Sequence, residues 1–355
     1  MMKLRLISKK ALSRLLPLFV FIAIFFAPLA AAASPAEAAQ PRQINPATKF
    51  GIVPQNGFLF PYIFFTDTVR TLAQNDNNRP AWVHTVEELE RFDRIIQDQT
   101  SLLLNNYILS YYGHPYSRNM GILGRYSIEE LSRQLSVTAA QYEAISEGRG
   151  VIRAFHLIFG TVHPDASIGI LRHSTLMSYI NYALENDMLV FIDHQIGRYD
   201  PIESLRRMFP YLHYPNVHLA LDPEWRTLRP NIEIGHLTAD EINRAQQAME
   251  DYLIENDLPG ERMLMFHQFH YRMVRELRDV RADFRRVRLI HNIAGIGSPQ
   301  MKRNTYNWGA AFTNIPVKGF KLWYDFGFAG HTDTPLMSPQ DVFGLSPRPY
   351  IIMYQ

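Results

Sequence analysis

Two carboxylates close an apolar run. Val217 to Trp225 reads Val-His-Leu-Ala-Leu-Asp-Pro-Glu-Trp, with Asp222 and Glu224 two residues apart across Pro223 and an indole beside them. In extended chain, residues i and i+2 share a face, so both acids point one way if the strand geometry persists through the proline. Paired acids at a strand end are equipment for acid/base chemistry. Other apolar runs end in polar or aromatic groups as well: Tyr112 and His114; Asp193, His194 and Gln195; His267 and Gln268; His291 and Asn292; Trp323, Tyr324 and Asp325; Tyr354 and Gln355.

The elements that must carry these groups are regular. Strand-length apolar runs occur at Tyr107–Tyr112, Ile152–Phe159, Leu189–Asp193, Val217–Asp222, Met263–His267, Val287–His291, Gly319–Asp325 and Tyr350–Tyr354. Helix-type segments lie between them, at Ser127–Glu147, Thr175–Glu185, Pro201–Phe209, Thr238–Asn256, Tyr271–Asp283, Met301–Phe312 and Ser338–Phe343. Thr238 with Glu241 three residues on is a capping box, and Ile242, Ala245, Met249 and Leu253 follow at helical spacing. Eight strands alternating with helices predict an α/β fold, a single-domain (β/α)8 TIM barrel. A helix over Thr85–Gln99 is expected to cover the gap where no helix follows the last strand. No Gly-rich phosphate loop follows any strand, which disfavours an open doubly wound sheet.

In such barrels the site forms at the carboxyl ends of the strands, where these polar groups gather. Alternation places His218, Ala220 and Asp222 toward the axis, and likewise Lys321, Trp323 and Asp325. An inward Lys321 needs an acid partner, because burying it unpaired costs several kcal/mol. Each group also has a purely structural reading: Asp222 paired with Arg226, Asp193 with Arg198, Glu224 as a solvated loop acid, His267 and His291 as interior histidines.

Three reaction classes can be weighed. Glycoside hydrolysis needs two carboxylates and aromatic platforms for sugar faces; Asp193, Asp222, Glu224 and Asp325, with Trp225, Trp323 and Tyr112, supply both. A metal-dependent hydrolase would draw on His194, His267, His291 and Asp193, but there is no His-x-His after the first strand and no His-Glu-x-x-His helix, so neither metal nor cofactor is expected. Serine catalysis lacks a Gly-x-Ser-x-Gly turn.

Lys3, Arg5, Lys9, Lys10 and Arg14 precede an apolar run, Leu15 to Pro28, and then Ala-rich sequence, the order of a signal peptide over residues 1–33. An uncleaved membrane anchor is the alternative. Residues 34–47 read as a disordered tether and 48–355 as the barrel domain. The 355-residue chain has no cysteine, so the exported fold expected here has no disulfide. Without the five basic leader residues, the formal charge of +2 turns negative, which disfavours a nucleic-acid partner. No membrane partner is expected once the signal is removed.

The half from about Asp193 to Gln355 resembles a family of exported TIM-barrel proteins and lipoproteins, best represented in actinobacteria. The resemblance lies in Leu219-Ala-Leu-Asp-Pro-Glu-Trp225, in His267-Gln-Phe269, and in a C-terminus running from Ser346-Pro-Arg-Pro349 to Tyr354 and Gln355. It implies a barrel and export, without a known reaction. The family's lipid-attachment cysteine is absent here. Asp222-Pro-Glu224 is also similar to the Asp-x-Glu pair of chitinase-type barrels, where the Glu is the acid; that motif's upstream acids would fall on Val217 and Ala220. The expectation is a secreted, glycoside-hydrolase-like barrel acting on a polysaccharide or cell-envelope glycan, or else a non-catalytic carbohydrate-binding or envelope-structural barrel, or a metal-dependent hydrolase. Glu224 would be the general acid, Asp222 its partner, and Asp193 or Asp325 the second carboxylate. His194, Gln195, Trp225, His267, Gln268, His291, Asn292, Trp323 and Tyr112 would bind substrate.

Overall fold

The computed structural model describes residues 102–327 and 332–355, all within one compact unit, Arg42–Gln355. The leader, the tether and the Thr85–Gln99 helix lie outside the described residues. Among those described, no helix is long and apolar enough to cross a membrane.

Eight parallel strands close on themselves. In chain order they are β1 (Asn106–Gly113), β2 (Gly150–Val162), β4 (Leu189–Gln195), β5 (Val217–Asp222), β7 (Arg262–Gln268), β9 (Val287–Ile293), β10 (Lys318–Leu322) and β11 (Ile351–Tyr354). Each pairs with the next, and β1 joins β2 on one side and β11 on the other, so the barrel has no free edge. A short β3 (Ile168–Ile170) runs antiparallel to the end of β2. All eight barrel runs expected from the sequence are strands, and the fold is a (β/α)8 barrel.

Alternation builds two cores. Inward side chains, among them Ile108, Ile152, Phe191, Ala220, Met263 and Ile290, fill the barrel interior. Outward ones such as Leu109, Phe155, Val190, Leu219, Leu264 and Phe320 pack against the helices. Fully burying a large aliphatic or aromatic side chain is worth about 1.5–3 kcal/mol, so both layers press the strands into register.

The helices are α1 (Ile128–Glu143), α2 (His173–Glu185), α3 (Pro201–Arg206), α4 (Ala239–Glu255), α5 (Pro299–Ala310) and α6 (Pro339–Phe343). Ser127, Asp200, Thr238, Ser298 and Ser338 cap five of them with side-chain oxygens, and α4 and α6 carry full capping boxes. A cap of this kind contributes about 1 kcal/mol.

Tyr271–Asp283 is not the expected helix. It consists of 3-10 turns around a two-residue strand β8 (Val274–Arg275), which pairs with β6 (Leu237–Thr238). Glu276 sits at φ 52, a left-handed backbone conformation that a helix cannot pass through.

Candidate active site

A cavity of about 800 Å³ opens at the carboxyl end of the barrel, walled by Tyr112, Gln195, Asp222, Glu224, Trp225, His267, Lys321 and Trp323, with the 231–234 loop segment at its side. Seven of these residues are among those expected from the sequence, and Lys321 was expected to face inward.

Asp222 ends β5 and is buried, 6% exposed. The extended geometry does not persist beyond it. Pro223–Trp225 forms one 3-10 turn, because the fixed φ of proline suits the first position of a helical turn. Glu224 still reaches the cavity, because the turn is pinned: Gly197 N–H donates to the Trp225 carbonyl at 3.1 Å, and Gly235 N–H to the Glu224 carbonyl at 2.6 Å. Arg226 pairs with Glu241 at 2.7 Å, which leaves Asp222 to the cavity.

The two carboxyls differ in charge behaviour. Burial, reinforced by Asp222, pushes Glu224 up to about 8. Burial and the Asp193 charge push Asp222 up to about 6, opposed by His267 and Lys321. Lys321 is the cation whose charge opposes both shifts. Burial lowers it to about 8 while the acids hold its proton, and its ammonium lies 4.1 Å from the Tyr112 ring centre and 4.3 Å from that of Trp323. Tyr112 is raised well above its ordinary value by burial and by the Asp193 and Asp222 charges.

Beneath the wall lies a group centred on Asp193. His267 Nε2 is 3.0 Å from Asp193 Oδ2, and Asn292 Nδ2 donates to His267 Nδ1 at 2.9 Å. His156 Nε2 is 3.5 Å from the same Asp193 oxygen. Burial would raise the Asp193 carboxyl, but His267 and His156 hold it well below the usual range. Burial lowers His156 to about 4. Asp193 is 0% exposed and does not line the cavity, and Arg198 packs over Tyr199 instead of pairing with it.

Several expected binders point elsewhere. On β4 only Asp193 and Gln195 face inward; His194 turns outward against Phe159, and its ring occupies the space a Cβ would need at Gly160. His291 also turns outward, stacks on Phe266 and bonds Gln268 Oε1 at 2.8 Å, which removes both residues from the site. Asp325 is exposed and accepts the Gly327 N–H at 2.8 Å; it lies past the end of β10, so alternation no longer aims it inward. Gln195 faces in and accepts the Val162 N–H at 2.9 Å.

Sequence reasoning missed His156 and Glu233. His156 follows from alternation on β2, where Ile152, Ala154, His156 and Ile158 share the inward face. Glu233 lies in the loop after β5, tied to Arg229 and Thr227, and no periodicity marks it. Trp323 is held by Asp333, whose Oδ2 accepts the Trp323 N–H at 2.9 Å and pairs with the buried Lys302 at 2.8 Å.

No family model matches the sequence, and no curated protein matches it. Among solved structures, the chain is similar to a trimodular GH5_4 subfamily endoglucanase, with a TM-score of 0.43, 14% identity and 72% of this chain covered. This chain spans 57% of that one. It is also similar to PbGH5A, a glycoside hydrolase family 5 enzyme from Prevotella bryantii B14 (TM-score 0.40, 8% identity, covering 72% of this chain and 91% of that one). A third is a beta-glucosidase from Thermotoga maritima (TM-score 0.34, 8% identity, 72% and 88%).

Proposed function

We propose that this chain is an exported, glycoside-hydrolase-like enzyme that cleaves a polysaccharide or cell-envelope glycan by carboxylate acid/base catalysis. The observation that carries the reading is that Asp222 and Glu224, from one strand end, both line the cavity together with Lys321. Burial raises both carboxyls, Glu224 to about 8 and Asp222 to about 6, so Glu224 is the one that holds its proton to higher pH, which is how two carboxyls divide the roles of acid and base. Glu224 protonates the glycosidic oxygen; Asp222 supports the positive charge that develops on the sugar ring, as nucleophile or as base toward water. Trp225 and Trp323 offer faces for sugar rings, and the Gln195 amide offers a polar group for hydroxyls. This replaces the expectation that Asp193 or Asp325 is the second carboxylate, since one lies beneath the wall and the other outside it. Export rests on the basic and apolar leader with its Ala-rich end.

The test is incubation of the protein with bacterial-envelope and plant polysaccharides, with products read by mass spectrometry beside Glu224→Gln. Oligosaccharides from wild type alone support the proposal. Saturable glycan binding by both proteins without product replaces it with a binding barrel.

A further inference from the structure

The group beneath Asp222 and Glu224 biases the charge of Asp222 but takes no step in the proposed reaction. Three inward side chains from three strands, His156 of β2, Asp193 of β4 and His267 of β7, bring one ligand-type atom each to within 4.8 Å of one another. All three are buried, at 0%, 0% and 2% exposure. His156 Nδ1 and Asp193 Oδ1 make no hydrogen bond, and the one polar contact of His156 Nε2 is Asp193 Oδ2 at 3.5 Å. Buried polar atoms without partners are rare enough in folded proteins that each calls for an explanation, and an ion is one.

We infer that His156, Asp193 and His267 form a binding site for one divalent transition-metal ion of the zinc type. Two imidazoles and one carboxylate suit that ion class and not magnesium or calcium, which require oxygen ligands. The spacing is already near what such an ion requires. Zinc bonds nitrogen and oxygen at about 2.0–2.2 Å, so tetrahedral ligand atoms stand roughly 3.4 Å apart. Asp193 Oδ2 is 3.0 Å from His267 Nε2 and 3.5 Å from His156 Nε2.

Asn292 already bonds His267 Nδ1, while its own Oδ1 is buried without a partner. Turning that amide over lets Oδ1 accept from Nδ1–H and frees Nε2 for the ion, the outer support that metal-bound histidines generally have. Entry is from the cavity: His267 and Tyr112 form part of its wall, and Tyr112 packs against both imidazoles, with ring centres 5.0 Å from His156 and 5.8 Å from His267.

The experiment uses untagged protein stripped with chelator and titrated with zinc, cobalt and magnesium, with binding followed by calorimetry and by the visible absorption of cobalt. One equivalent of zinc should bind, cobalt should develop the intense absorption of a tetrahedral site, and magnesium should give no heat. His156→Gln and His267→Gln should each weaken zinc at least 10-fold, while the surface change His173→Gln leaves it unchanged. Absence of tetrahedral cobalt absorption in the wild type overturns the inference whether or not the variants fold. So does zinc affinity unchanged in His156→Gln. Either result leaves the assignment of Glu224 standing, because glycan turnover is a separate readout.

Discussion

Glu224→Gln is expected to stabilise the protein while removing its acid. The Glu224 carboxyl rises from an ordinary 4.5 to about 8, through burial and then through Asp222. Its folded value lies above its unfolded one, so ionisation opposes folding. Wild-type stability is therefore undiminished below pH 4.5, falls as the pH rises from 4.5 to 8, and levels off above. At about 1.36 kcal/mol per pKa unit, the interval sets a ceiling of roughly 5 kcal/mol. The carboxyl faces an open cavity, and its titration is coupled to that of Asp222, so about 2 kcal/mol is the expected effect. Glutamine has nearly the same shape and no charge at any of these pH values. The variant should match wild type at pH 5 and exceed it by about 2 kcal/mol at pH 9, read by urea denaturation with tryptophan fluorescence at pH 5, 7 and 9. Turnover in the same preparations should drop by about 10²–10⁴-fold. A stability difference that does not grow with pH, or a variant less stable at pH 9, would refute the account of this carboxyl.

The pH profile of glycan cleavage by chelator-stripped protein should be bell-shaped. Activity falls below about 6 as Asp222 gains its proton and above about 8 as Glu224 loses its own; a profile flat from pH 5 to 9 contradicts these roles. Lys302→Met should cost about 3–5 kcal/mol in urea denaturation, because it leaves Asp333 charged and unpaired in the interior. A loss below about 1 kcal/mol would mean that the pair does not anchor Trp323. Trp323→Ala should raise KM for a polysaccharide with little change in kcat, the mark of lost ground-state binding; an unchanged KM removes Trp323 as a sugar platform. Gly160→Ala should destabilise by about 1–3 kcal/mol, since the new methyl would stand 2.7 Å from the His194 ring; a neutral result in thermal unfolding would show that the ring can move.

The barrel was legible because its strands are buried on both sides. A strand with one face in the barrel and the other under helices reads as a continuous apolar run, and capping residues such as Thr238 mark where each helix begins. Tyr271–Asp283 reads as a helix for a related reason: Met273, Leu277 and Val280 are spaced three and four apart, but they serve turns around a pairing with Leu237–Thr238 that nothing local announces. The site was legible only as far as strand alternation was applied. On β5 alternation separates His218, Ala220 and Asp222 from their neighbours, and the structure has them facing inward. On β4 and β9, where neighbouring polar residues stand side by side, only every second one can face the axis, so Gln195 and Asn292 face in while His194 and His291 pack against the helices. On β2 the same rule singles out His156 from an apolar run. Proximity between strands is a different kind of information. His156, Asp193 and His267 come from strands β2, β4 and β7, and the sequence intervals between them carry no mark of their meeting; barrel closure and register alone bring them together. A local motif can therefore reveal the Asp222 and Glu224 pair, but the group beneath it becomes visible only once the strands are set side by side.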